Sequence, residues 1–320
     1  MAQLGYNIGF LVLLFFACLC EGTEVDYMQN GSYVPGKVQA GDVDLVEFPL
    51  NLEYLEAEFF LFGALGYGLD KVAPELPSGG PSPVGGMKAK LSSVVHDIIL
   101  EFAYQEVGHV RAIKATVKGF PRPLLNLSAD VFSNAVDAAF LTKLNPPFDP
   151  YANSLNYLLA SYLLPYLGLT GYVGINPDLQ SATAKRLVAG LLGVESGQDA
   201  VIRALLYERL SEKVKPYPYT VAEFTDKLSM LRNRLGHTVD VDEGLVVPIE
   251  EGAEGKVSGN ILAGDMYSLA FSRTPAEILR IVYSSGNESM PGGFFPQGGG
   301  GKIAVSYLKC AHFIPISFIK

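Results

Sequence analysis

Glu106 and His109 stand three residues apart in the stretch Phe102-Ala103-Tyr104-Gln105-Glu106-Val107-Gly108-His109-Val110-Arg111. The apolar positions around them, Val94, Val95, Ile98, Ile99, Phe102, Val110 and Ile113, predict a helix from about Ser92 to Ala115. Residues three apart on a helix share a face, so the carboxylate and the imidazole project together toward neighbouring helices. Such a pair at an apolar seam costs free energy unless something satisfies it. A metal ion is one partner, and Glu-x-x-His is the spacing used by di-metal carboxylate four-helix bundles. The plainer alternative is a partly buried polar pair satisfied by other side chains.

Other chemistry finds little support. Gly298 to Gly301 followed by Lys302 is superficially a phosphate loop. Ile303 occupies the place of the magnesium-binding Ser or Thr, however, and no strand-loop-helix pattern surrounds it, so a floppy tail is expected there. The chain has no Gly-x-Ser-x-Gly elbow, no His-Glu-x-x-His helix and no cysteine pair for metal or redox work. Cys310 reads as an inert thiol and His96 as a surface residue, while His237 and His312 lack acidic partners at useful spacing.

The elements that must hold Glu106 and His109 follow from the same periodicity. A first helix starts near Pro49 and runs from Leu50 to about Tyr67, with Leu52, Leu55, Phe59 and Phe62 as its stripe and Glu53, Glu56 and Glu58 crowded beside it. A Pro/Gly-rich loop leads to the helix already described. Residues 118 to 150 form a long connection with one short helix around Ala129 to Leu141, long enough to cross a bundle. A third helix covers about Ala152 to Val173 and is broken at Pro165. No charged residue occurs from Tyr151 to Pro177, which makes it the one candidate membrane span. Polar Asn153, Ser154, Asn156, Ser161 and Thr170, and the lack of flanking Lys or Arg clusters, favour a helix buried on all sides instead. Its tyrosines (Tyr151, Tyr157, Tyr162, Tyr166, Tyr172) are read as core packing, with a pocket lining as the other option. The fourth helix spans about Leu179 to Glu208 and carries Glu195 and Gln198, again three apart.

Beyond Pro216, Thr220-Val221-Ala222-Glu223 and Thr274-Pro275-Ala276-Glu277 are capping boxes that open two further helices, to about Leu235 and Tyr283. Residues 211–308 thus form a mixed extension of short helices and loops behind a bundle at 49–210. At the other end, the uncharged run Ile8 to Cys20 reads as a secretory signal peptide over 1–22, followed by an extended segment over 23–48. Removing that peptide leaves Cys310 alone, so the core must hold the fold without disulfides. Sequons at Asn30, Asn126 and Asn287 suit glycosylation on the same route. With 24 basic against 33 acidic residues and net charge −9, nucleic acid and anionic membrane surfaces are poor partners.

The segments Leu50-Asn51-Leu52-Glu53-Tyr54-Leu55-Glu56-Ala57-Glu58-Phe59, Leu191-Leu192-Gly193-Val194-Glu195-Ser196-Gly197-Gln198-Asp199-Ala200 and Pro291-Gly292-Gly293-Phe294-Phe295-Pro296 resemble the plant desiccation-related proteins of the ferritin-like superfamily. The likeness runs from about Glu47 to Leu308. Lys309 to Lys320 do not look like that family's usual ending, leaving 309–320 as an atypical tail. The resemblance implies a mainly α fold: a ferritin-like four-helix bundle with a long crossover between its second and third helices, plus the C-terminal extension. Metal-binding members place one Glu on each of the first and third helices and Glu-x-x-His on each of the second and fourth. Glu53, Glu106, His109 and Glu195 match that pattern. Gln198 stands where a His would be, the third helix has no carboxylate, and Pro165 falls where its Glu would project.

Three carboxylates and one imidazole satisfy one divalent ion rather than the pair that four carboxylates neutralise. The implied cofactor is therefore none or a single divalent metal (iron, manganese or zinc), with di-iron oxygen chemistry disfavoured. Three functional readings follow. The first is a secreted stress-related protein, in the apoplast, cell wall or vacuole, with a degenerate di-metal site and a structural role or one in binding a small molecule or cell-wall component. The second is an enzyme whose pocket uses Glu106 or Glu195 as general acid or base with His109 as partner, or one metal, for an isomerisation, cyclisation or oxidation. The third is a metal store. An oligomer is compatible with each.

Overall fold

The computed structural model describes residues 37–238 and 242–310. The signal-peptide and Asn30 expectations, and most of the tail at 309–320 with His312, lie outside the described residues. Eleven α-helices form among those residues, with isolated bridges but no β-strand.

The N-terminal segment departs from the expected extended chain: Ala40–Glu47 is a helix, α1. Its Asp42 is fully buried and accepts hydrogen bonds from Gln180 N, Ser181 N and Ser181 Oγ. Those donors sit at the entry to a later helix, where unpaired N–H groups and the helix dipole favour a carboxylate. The segment is helical because it caps another helix, a tertiary cause that local periodicity does not carry.

Helix α2, Leu50–Leu65, ends at Gly66 in the left-handed conformation (φ 85°). Fourteen of its sixteen residues are buried, including all three of its glutamates. After the one-turn helix α3 (Leu69–Val72), α4 (Ser93–Thr116) packs along α2 as the second bundle helix. The crossover then holds α5, Ala129–Phe140.

The third bundle helix arrives in two pieces, α6 (Ser154–Ser161) and α7 (Pro165–Ile175). Pro165 takes the first helical position of α7, where the missing N–H costs nothing, and so the chain breaks just before it. The stretch Ser154–Asp178 is long and apolar enough to cross a membrane by length and composition, and 89% of its apolar window is buried inside the protein. Helix α8 (Ala182–Tyr207) closes the bundle against α7, α6 and α4, with Ser181 Oγ accepting from Ala184 N at its start.

The extension contributes α9 (Val221–Gly236) and α10 (Pro275–Val282), each opened by the expected capping box. The expected floppy tail is instead a helix, α11 (Gly301–Cys310), packed on α1 and α10. Asn51 of α2 anchors its entry, with Nδ2 donating to Gly300 O (3.0 Å) and Oδ1 accepting from Gly300 N (2.7 Å). The bundle and extension therefore share one core.

Candidate metal centre

Glu53 from α2, Glu106 and His109 from α4, and Glu195 from α8 converge inside the bundle. One ligand atom from each lies within 4.8 Å of the others, and all four residues are buried. His109 Nδ1 sits 3.1 Å from Glu53 Oε2, 3.2 Å from Glu106 Oε2 and 3.8 Å from Glu195 Oε1. Nδ1 is thus placed to donate to an ionised carboxylate, or to offer its lone pair to a cation once its proton is displaced.

Two neutral side chains brace the ring of acids. Gln198 Nε2 donates to Glu106 Oε1 (2.5 Å) and to Gln105 Oε1 (3.1 Å). The residue at the expected second histidine position thus acts here as a hydrogen-bond donor to a carboxylate. From α7, the Tyr172 hydroxyl donates to Glu53 Oε1. The third helix reaches the site at Gly168 and Tyr172, one turn apart, rather than at Pro165. A Cβ at Gly168 would stand 2.9 Å from the Glu195 carboxylate, so only glycine leaves that acid its place.

A further buried acid lies close enough to feel the charges of Glu106 and Glu53. Glu56, one turn after Glu53, is completely buried, and among the described residues neither of its oxygens has a hydrogen-bond partner. Glu195 Oε2 also lacks a hydrogen bond among the described residues, and Glu106 Oε2 has the His109 ion pair in place of one. Glu58, the third glutamate of α2, has a different fate: it pairs with buried Arg122 and accepts from Leu69 N. The sequence shows three crowded glutamates on α2 but not which pair turns to the site, because the helix is buried all round.

The electrostatics follow from burial and crowding. Burial, then Glu106, Glu53 and Asp199, push the Glu56 carboxyl well above its usual range. Burial, then Glu56, Glu106 and Glu53, do the same to Glu195. Burial lifts Glu53 to about 7 against the opposing pull of His109. Glu106 is the exception: burial raises it, but His109 together with the bonds from Glu53 and Gln198 brings it below the usual value. Burial works against a charged His109, yet Glu106 and Glu53 hold its pKa well above 6.5. Four carboxylates are thus set against one imidazolium, and acceptor oxygens face one another with too few donors. An oxygen-rich set with one nitrogen suits a divalent cation of the iron, manganese or zinc kind.

The ferritin-like domain family matches residues 41–208, more than half of the chain. The chain belongs to the ferritin-like family. This ferritin-like protein is 59% identical over 271 residues to the ferritin-like catalase Nec2 of Nesocodon mauritianus, covering 85% of this chain and 87% of that protein. It is 56% identical over 292 residues to the desiccation-related protein PCC13-62 of Craterostigma plantagineum, covering 91% and 92% respectively. No solved structure matches it. The expected membership beside desiccation-related proteins therefore stands. The matched domain ends where α8 ends, so the extension that supplies α9 to α11 lies outside it.

A groove of about 200 Å³ reaches the ferritin-like site along α4 and α8, lined by His109, Ala112, Arg186, Leu187, Leu191 and Val194. His109 is 7% exposed, whereas the four glutamates of the cluster are at most 1% exposed. The expected glycosylation residues fall elsewhere. Asn287 is exposed, and Asn126 is half-buried with its Oδ1 accepting from Ser128 N.

Proposed function

We propose that this ferritin-like protein holds a divalent metal between Glu53, Glu106, His109 and Glu195 and uses it on a small oxidant of the peroxide class. The observation that carries the reading is the surplus of buried acid: four carboxylates, several of their oxygens without a donor, against one imidazole. A protein interior tolerates such a group only when a cation or protons neutralise it. The catalase named among its relatives supplies the reaction class.

A redox-active divalent ion bound there would supply the electron exchange that splits peroxide to water and dioxygen. The chain's own residues do the rest. The groove beside His109 is lined mainly by apolar Ala112, Leu187, Leu191 and Val194, with Arg186 among them, which suits a small uncharged solute. Gln198 and Tyr172 each hold one carboxylate by a donated hydrogen bond, so Glu106 and Glu53 keep their orientation as charge changes around them.

The test is dioxygen evolution from hydrogen peroxide by protein reconstituted with manganese or iron. Activity that disappears on chelation and in Glu106→Ala supports the reading, and metal-loaded protein without activity contradicts it. One observation favours a second reading: Gln198 replaces a ligating side chain, which suits a metal-stabilised structural or ligand-binding protein acting in stress, as a desiccation-related relative suggests. Inactive but metal-bearing protein would select it. A place on the secretory route is part of the proposal, supported by the apolar run at Ile8 to Cys20, and N-terminal sequencing of the mature chain tests it.

A further inference from the structure

Where the bundle meets the start of the C-terminal extension lies a pocket of about 380 Å³ that shares no residue with the acid cluster. Lys90, Arg209, Lys213 and Lys215 line it, against one carboxylate, Glu212. That carboxylate is already engaged, accepting from Arg209 Nε at 2.7 Å and from Arg209 Nη2 at 2.8 Å. The pair neutralises itself, and the three lysines make no ion pair among the described residues. The chain as a whole carries a net charge of −9, so this concentration of positive charge runs against the overall balance.

The backbone fixes where these cations stand. Val214 is fully buried and its N–H donates to Tyr219 O, which anchors the segment carrying Lys213 and Lys215. On the bundle side, Lys90 N donates to Tyr151 O at 3.0 Å. Between them the pocket is lined by the first residues of α6. Asn153 caps that helix through Oδ1, which accepts from Asn156 N at 2.9 Å, while the N–H groups of Ser154 and Leu155 have no partner on the helix. Open N–H groups at the positive end of a helix dipole favour an anion, as the lysines do. Asn153 spends its Oδ1 and Asn156 its Nδ2, which donates to Asp149 O; an amide donor and an amide acceptor remain for a hydroxyl-bearing ligand. The surrounding negative charge opposes an extended polyanion, and a concave site of this size suits one small molecule. We propose that this pocket binds a phosphate or sulfate group carried on a small polyhydroxylated molecule, with the lysines and the α6 N-terminus on the anion and the two asparagines on the hydroxyls.

Isothermal titration calorimetry of the full chain tests this, with glucose 6-phosphate and glucose 6-sulfate as the two arms and inorganic phosphate and glucose as comparisons. The expected result is saturable binding of at least one ester, tighter than inorganic phosphate and weakened by added salt, with no signal from glucose. Replacing both Lys213→Gln and Lys215→Gln should weaken the ester by about tenfold or more. Asn153→Asp keeps a good N-cap but sets a carboxylate at the pocket, so it should weaken binding with circular dichroism unchanged. Lys256→Gln, outside the pocket, should leave binding as it is. Binding of neither ester, or binding that these pocket variants do not change, would overturn the site. Inorganic phosphate bound as tightly as the ester would overturn the role of the asparagines. Binding lost on treatment with chelator would place the anion at the proposed metal instead and also overturn the inference, which does not rest on that metal.

Discussion

Along α8 the protein buries two nests of charge and treats them in opposite ways. Glu195 and Gln198 face the acid cluster, while Asp199 and Arg203, one and two turns after Glu195, belong to a basic nest shared with the extension. In the basic nest almost every donor has an acceptor. Arg203 donates to Asn260 O, Ile261 O, Gly244 O and the Tyr162 hydroxyl. Arg232 pairs with Asp242 through Nε and Nη2 and donates to Tyr162 O, and Arg273 Nη2 donates to Asn233 Oδ1 and to Asp242 Oδ2. All three guanidinium groups lie within 6 Å of the Tyr166 ring, at 5.9, 4.9 and 5.7 Å. Among the described residues, Nε and Nη1 of Arg273 are the atoms of this nest without a hydrogen-bond partner. The acid cluster, built in part on the same helix, leaves Glu56 and one oxygen of Glu195 without a hydrogen bond among the described residues. The same chain that supplies carbonyls, carboxylates and a ring to three arginines supplies little more than one imidazole to four acids. The basic nest satisfies its charges from within; the deficit in the acid cluster is what the proposed cation would offset.

Removing a charge from each nest should therefore have opposite effects. The largest is expected at Asp242→Ala, which leaves Arg232 and Arg273 buried without their shared carboxylate. A loss of about 3–5 kcal/mol, read by urea unfolding, is expected. A loss below about 1 kcal/mol would show that the nest is not fully desolvated.

Next comes cation binding. Mn²⁺ at about a hundred times its dissociation constant should stabilise the chelator-stripped protein by about 2.7 kcal/mol. The size of that effect depends on pH with a definite sign. Glu53 is lifted to about 7, and Glu56 and Glu195 are lifted well above their ordinary 4.5. The folded, stripped chain keeps protons that the unfolded chain has released above that value, so its stability falls as pH rises from there. His109, raised above 6.5, adds to the same slope at higher pH. A cation must displace these protons, so its stabilising effect grows over the same climb. Melting curves with and without Mn²⁺ at about pH 5 and about pH 8 should diverge more at the higher pH.

The smallest effect reverses the sign of the first. In stripped protein at high pH, once the raised Glu195 carboxyl has lost its proton, Glu195→Gln should be neutral or stabilising by about 1 kcal/mol, because it relieves repulsion among buried acids. With Mn²⁺ present the same substitution should be destabilising relative to wild type. Destabilisation in both conditions would mean that the acid cluster is held by protein contacts like the basic nest.

How much of this was legible in the sequence depended on how local its cause was. Glu106 and His109 were visible because spacing within one helix fixes their common face. Glu53 and Glu195 came from the resemblance, since pairing between helices leaves no local trace. Glu56 stood in plain view beside Glu53 and Glu58, yet α2 is buried all round and has no polar side from which to choose. Arg122, far along the chain, draws Glu58 away and leaves Glu56 to the site. The broken third helix was readable from Pro165, whereas its approach to the site through Gly168 was not, because a glycine matters there only for the acid packed on it. Helices α1 and α11 likewise have tertiary rather than local causes. One forms to cap α8, and the other follows a glycine run that Asn51 of α2 pins in place.

Diffraction at the manganese absorption edge, from crystals grown with Mn²⁺, tests the cation claim most directly. An anomalous peak at about 2.0–2.2 Å from carboxylate oxygens of Glu53, Glu106 and Glu195 and from His109 Nδ1 is the predicted result. A featureless map there, with the four acids arranged as they are now, would contradict it and leave the cluster neutralised by protons alone.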